Sequence, residues 1–297
     1  MENKEYSYIG WVRVLALIIP YLVVVTIFQL IGYWVSGVDL NNLELAKSTG
    51  QQAVVSFFGL LGTLLIIWFF TRIWDKEKFV DLGFQTTNRL QEFLIGLGLG
   101  LLVMGSAYAL FLSLGQIRFL NLDFDVKNII LSVVVFLLVS ITEEVLVRGY
   151  ILKNLMVSFN KYIALFISSV VFSLMHAINP NVDWLSLVNL FLAGILLGLS
   201  YIHTRNLWFP IALHLSWNLF QSLFGFNVSG QDFYSMVNFE IVENSPLNGG
   251  AFGFEGSVFC VMAQLVMIGG VLFYYEKGKL KIDDLVRQGI DQETPNF

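Results

Sequence analysis

The sequence predicts an all-α, polytopic membrane protein, a bundle of about eight transmembrane helices. Three observations carry that expectation. Hydrophobic residues make up 56% of the 297 and charged residues only 13%, with a mean hydropathy of +0.71. A soluble domain carries roughly 25% charged residues, so much of the polar surface that water demands is missing. Apolar runs of the roughly 20 residues that cross a bilayer recur along the chain, and basic residues are split unevenly between alternate loops, as membrane insertion requires. The net charge of −5 excludes a nucleic-acid binder, which needs clustered basic surface. The single cysteine, Cys260, excludes an intramolecular disulfide.

The runs lie at about 11–35, 52–73, 92–115, 128–147, 162–178, 184–203, 207–224 and 256–275. The first follows "MENKEYSYIGWVR", which lacks a small-residue cleavage site, so it reads as an uncleaved span. The fourth continues as a helix through "RGYILKNLMVSF" to a turn near Phe159–Asn160. The fifth and seventh are short, and both carry ionisable or amide side chains. The loop 225–255 has no Lys or Arg but holds Asp232, Glu240, Glu243, Glu255 and many glycines. It has room for a lid or a re-entrant element. Residues 1–276 are expected to form one transmembrane domain and 277–297 a solvated cytoplasmic tail. With the N-terminus inside, 14 of the 17 basic residues fall on the inner side and three, Lys47, Arg118 and Lys127, on the outer. An even number of spans returns the C-terminus to the cytoplasm, giving a multi-pass protein of the cell membrane.

Charged groups inside a span cost at least about 2.5 kcal/mol each and mark function. Here they are Glu143, Glu144 and Arg148 in "EEVLVR", His176 in "FSLMH", and His214 with Asn218 in "HLSWN". Glu144 and Arg148 stand four apart with the acid first, the favourable order for a helical ion pair. Glu143 points elsewhere, so the two carboxylates have different environments and can divide acid and base roles. His214 and Asn218 share one helix face. Glu143 lies 16 residues before Phe159 and His176 lies 16 after Asn160, so an antiparallel hairpin sets them at equal height. His203, at a span boundary, reads as a packing residue.

That set suits hydrolysis. A carboxylate beside an imidazole draws a proton from water, with general-base assistance worth about 10²–10⁴-fold. A second imidazole and an amide can hold the oxyanion. There is no evident Ser or Cys nucleophile motif, and the absence of HExxH excludes a zincin site. Glu143, His176 and His214 are also a mixed oxygen and nitrogen set that zinc accepts. Metal-activated and carboxylate-activated water both stay open, so the cofactor is a zinc ion or none.

The three motifs resemble the EExxxR, FxxxH and HxxxN motifs of the CAAX protease and bacteriocin-processing family of intramembrane proteases, in order and on the expected helices. The glycine-rich "SPLNGGAFGFEGS" is similar to a segment frequent among bacterial members. The resemblance implies a helical membrane endopeptidase whose cavity opens to the cytoplasm. It implies that Glu143 and His176 activate water, His214 and Asn218 stabilise the oxyanion, and Glu144 and Arg148 support the site. The substrate would be a membrane-associated protein or peptide, and the bilayer itself a partner. Two rivals come from other classes: a non-catalytic bacteriocin-immunity or scaffold protein, and a proton-coupled transporter. Against the transporter, the polar groups gather at one depth and no inverted repeat is evident.

Overall fold

The computed structural model describes residues 9–39 and 47–287; part of the expected tail, 288–297, and the first eight residues lie outside them. Eight rods follow one another. They are α1 (Ile9–Ser36), α2 (Thr49–Phe69, prolonged by a wide turn to Trp74), α3 (Leu90–Ser113), one continuous rod from Val126 to Ser158, α6 (Lys161–Met175), α7 (Trp184–Thr204), α8 (Trp208–Leu223) and α9 (Val258–Arg287). The long rod is composite. Its α4 (Val126–Glu144) passes through a π-helical stretch (Val145–Leu152) into α5 (Lys153–Ser158). Each expected apolar run is therefore a helix, and the turn after the fourth falls at Phe159 as expected. The helix α9 runs past residue 276, where the expected membrane domain ends.

Among the described residues six helices are long and apolar enough to cross a membrane. Of the two short ones, α6 with 15 residues and α8 with 16, α6 is capped at its C-terminus by His176 and α8 carries His214. At about 1.5 Å per residue each falls several ångströms short of a bilayer core of about 30 Å. The chain leaving each of them, Asn179–Pro180 after α6 and 228–234 after α8, lines an internal cavity. Irregular backbone is tolerated at membrane depth only in such a place.

Close approach between rods comes from small residues at four-residue spacing, the usual device where lipid offers no hydrophobic drive for helix association. On α3, a Cβ at Gly100 would lie 2.6 Å from Trp217 N, and one at Gly96 would lie 2.9 Å from Leu213 N. The backbone of α8 can thus press against α3 on either side of His214. On α7, a Cβ at Gly194 would lie 2.8 Å from Ser169 Cα, which seats α6 in the same way. The largest apolar core surrounds the π stretch, with Leu82, Tyr201 and Leu207 among its buried members.

Two strands were not expected. β1 (Ile117–Leu122), between α3 and α4, pairs antiparallel with β2 (Val237–Ile241), Ile117 opposite Ile241, with a bulge between Phe119 and Asn121. Arg118 and Glu240 form an ion pair across the ladder. The 225–255 loop is therefore anchored, not free to swing as one piece. Its Glu255 carboxylate accepts from Ser229 N at 2.7 Å, Ser229 Oγ at 2.9 Å and Gln221 Nε2 at 3.3 Å, tying the cavity-lining segment to α8.

At the opposite end of the bundle Arg13 pairs with Asp75 at 3.0 Å and donates to Asn154 Oδ1, and Lys153 pairs with Glu77. Burial pushes the Asp75 carboxyl above its ordinary value, opposed by the Arg13 charge. His203 stacks face to face on Tyr275 with 4.5 Å between centroids, in keeping with a packing role.

Candidate active site

Glu143 and Glu144 close α4 just where the helix widens, and π-helical turns inside α-helices are frequent at functional sites. The two side chains diverge. Glu144 is wholly buried, and its Oε1 accepts from Arg148 Nη1 at 2.8 Å and stands 2.8 Å from His214 Nδ1. Arg148, 1% exposed, also donates to the Gly194 carbonyl at 3.3 Å and lies 4.4 Å over the Phe172 ring. The buried cation is thus met on three sides, by a carboxylate, a carbonyl and a ring face.

Glu143 faces the cavity instead. Its Oε2 lies 3.8 Å from His176 Nε2 and 3.9 Å from His214 Nε2. These gaps are too long for direct hydrogen bonds but are a spacing that one water oxygen can bridge. The far nitrogen of each ring fixes its tautomer. His176 Nδ1 is 2.9 Å from the Phe172 carbonyl, which can only accept, so Nδ1 carries the proton and Nε2 presents a lone pair. His214 Nδ1 must likewise donate to Glu144. Its Nε2 can then donate only when the ring is an imidazolium.

Phe172 is the residue sequence reasoning quoted without assigning it work. Its ring centroid lies 4.9 Å from that of His176 and 6.2 Å from that of His214. It forms a floor under both imidazoles while its carbonyl orients one of them. Asn218, one turn beyond His214 on α8, is buried and lines the same cavity. The six expected residues therefore come together: Glu143, His176, His214 and Asn218 on the cavity, with Glu144 and Arg148 behind it.

Among the described residues no group of three or more His, Cys, Asp or Glu side chains is set to hold a metal ion, while Glu143 Oε2 stands 3.8 and 3.9 Å from the two imidazole Nε2 atoms.

The cavity measures about 1130 Å³, above the roughly 300–1,000 Å³ of small-molecule pockets and roomy enough for an extended peptide. On α4 it is lined by Phe136, Val139 and Glu143, which share one helix face. Its mouth is formed by Ser48 and Thr49 at the start of α2, by Pro180 and by Asp232. No residue of the segments 75–89, 159–161 or 203–207 lines it, among those described. The expectation of a cytoplasmic opening, carried by the resemblance, and that of cytoplasmic basic loops, carried by the charge pattern, therefore do not hold together. The basic loops are at the closed end.

Residues 125–220 match the family of the Type II CAAX prenyl endopeptidase Rce1-like proteins. This is the family that the three motifs resemble. The matched segment covers about a third of the chain, from the start of α4 into the last turn of α8, and contains every candidate site residue. No curated protein and no solved structure matches the chain.

Proposed function

We propose that the chain is an intramembrane endopeptidase that hydrolyses a peptide bond of a membrane-associated protein or peptide. The observation that carries this reading is the approach of one carboxylate, Glu143, to two imidazoles at 3.8 and 3.9 Å inside a cavity large enough for a peptide. The Rce1-like match supports the same class of activity.

In the reaction a water between Glu143 and His176 attacks the scissile carbonyl carbon, and Glu143 takes its proton. The oxygen of the resulting tetrahedral intermediate bears the charge. It accepts from Nε2–H of the His214 imidazolium and from the Asn218 amide, each such donor being worth roughly 3–4 kcal/mol when correctly placed. As the carbon–nitrogen bond breaks, Glu143 returns the proton to the departing amine, and the carboxyl product keeps the water oxygen. Glu144 and Arg148 touch no substrate in this scheme. They position His214 and hold its tautomer.

Glu143→Gln tests the reading, because it keeps the shape and removes the base. Membranes from cells carrying wild type and Glu143→Gln are compared by peptide mass spectrometry. A membrane-associated peptide that accumulates uncut only in the variant is the expected result. Identical peptide profiles, with the variant inserted and stable, would point instead to a non-catalytic binding protein.

A further inference from the structure

The hydrolytic reading leaves open which face of the membrane delivers the peptide, and two independent observations bear on it. The first is where the cleft begins and ends. Ser48, Pro180 and Asp232 at its mouth are exposed to solvent. They gather at the end of the bundle where α1 finishes and where α2 and α4 begin. Toward the other end the route is closed. All eight residues of the π stretch, Val145 to Leu152, are buried, and Leu82, Tyr201 and Leu207 pack against them in the main core. Glu143 is therefore reached by water from the mouth side.

The second observation is charge. At the closed end, the short α2–α3 connection carries Lys76, Lys78 and Arg89, the α5–α6 turn is flanked by Lys153 and Lys161, and Arg205 lies between α7 and α8. The mouth end carries Lys47, Arg118 and Lys127, spread over two connections. Arg148 belongs to neither set, since it is buried against Glu144. Short loops rich in Lys and Arg stay in the cytoplasm, so the closed end is the one that membrane insertion retains inside.

We infer that the cleft opens on the face away from the cytoplasm, and that its substrate is an exported or translocated polypeptide entering beside Ser48 and Asp232, not the tail of a cytoplasmic protein. The word substrate rests on the hydrolytic reading above; the orientation stands without it. The cavity geometry also limits the approach. A peptide must descend past Phe136 and Val139, about 10 Å along α4 at 1.5 Å per residue, before its backbone meets Glu143.

Single cysteines test the orientation in the full chain in intact cells, using a membrane-impermeant maleimide. Cys260 is completely buried, so the unsubstituted protein serves as the blank. Ser48→Cys and Asp232→Cys are expected to react in intact cells. Thr86→Cys, exposed in the α2–α3 connection, is expected to react only after lysis. The reverse pattern, or equal labelling of both ends in intact cells, overturns the inference. The substrate half is read from the peptides that accumulate with Glu143→Gln: uncut sites on extracytoplasmic segments support it, and uncut sites on cytoplasmic segments refute it. A Glu143→Gln variant that still cleaves would sink the hydrolytic mechanism while leaving the labelling result untouched.

Discussion

The buried triad of Glu144, Arg148 and His214 makes a quantitative prediction that needs no substrate. Both members of the ion pair are essentially inaccessible, at 0% and 1% exposure. Removing one partner of such a pair leaves an uncompensated charge and typically costs about 3–5 kcal/mol. For Glu144→Gln the lower end applies, because Arg148 keeps the Gly194 carbonyl and the Phe172 ring, the latter worth about 2 kcal/mol when desolvated. For Arg148→Met a similar loss is expected, since Glu144 then keeps only the His214 donor. Combining the two changes removes both charges. The double variant should therefore lose about 3 kcal/mol, not the 6 or so that simple addition gives, a coupling of about 3 kcal/mol between groups in contact. The assay is reversible unfolding of the purified protein in mixed micelles, followed by tryptophan fluorescence, for the wild type and the three variants. If the two single losses add to within about 0.5 kcal/mol, as they do for independent sites, the pair is not a coupled unit and the account of the site's support fails.

Two further predictions concern stability away from the reacting groups. Gly100→Ala places a Cβ 2.5 Å from Ser216 Oγ and 2.6 Å from Trp217 N, so α3 and α8 must separate, at a cost of about 1–3 kcal/mol. Gly98→Ala, two residues away with nothing within 4 Å of its added carbon, should be neutral or slightly stabilising; equal losses in thermal unfolding for the two would refute close packing at Gly100. Asp75 gives a pH dependence. Because burial raises its folded-state value, the native protein holds that proton more tightly than the unfolded chain. The penalty of burying the carboxylate is absent below the ordinary carboxylate range and fully present above the raised folded value. Stability should fall as pH rises through that window, and Asp75→Asn should flatten this part of the unfolding profile; an unchanged slope would show that Arg13 compensates the charge completely.

Much of the architecture could be read from residues alone, because lipid as solvent leaves few options. Backbone groups in hydrocarbon must bond within their own segment, so a run such as 92–115 becomes a helix, here Leu90–Ser113, with little help from its neighbours. The cost of burying charge did the same for the site. Glu143, Glu144, Arg148, His176 and His214 could be named because ionisable groups are costly at membrane depth and therefore rare there, and counting residues from the Phe159 turn set Glu143 and His176 level. What contact alone decided is of another kind. The strands β1 and β2 depend on pairing between segments more than a hundred residues apart, and "IRFLNL" is too short and too mixed in character to announce a strand by itself. The π-helical widening after Glu144, and the Phe172 carbonyl that fixes the His176 tautomer, arise from local packing that no periodicity encodes. The direction in which the cavity opens is also tertiary. Hydropathy ranks segments by their affinity for lipid and charge assigns their ends to a side, but whether the space between helices fills with side chains or with water depends on how their volumes fit together. Here the half around Val145–Leu152 fills, and the half beneath Ser48 and Asp232 does not.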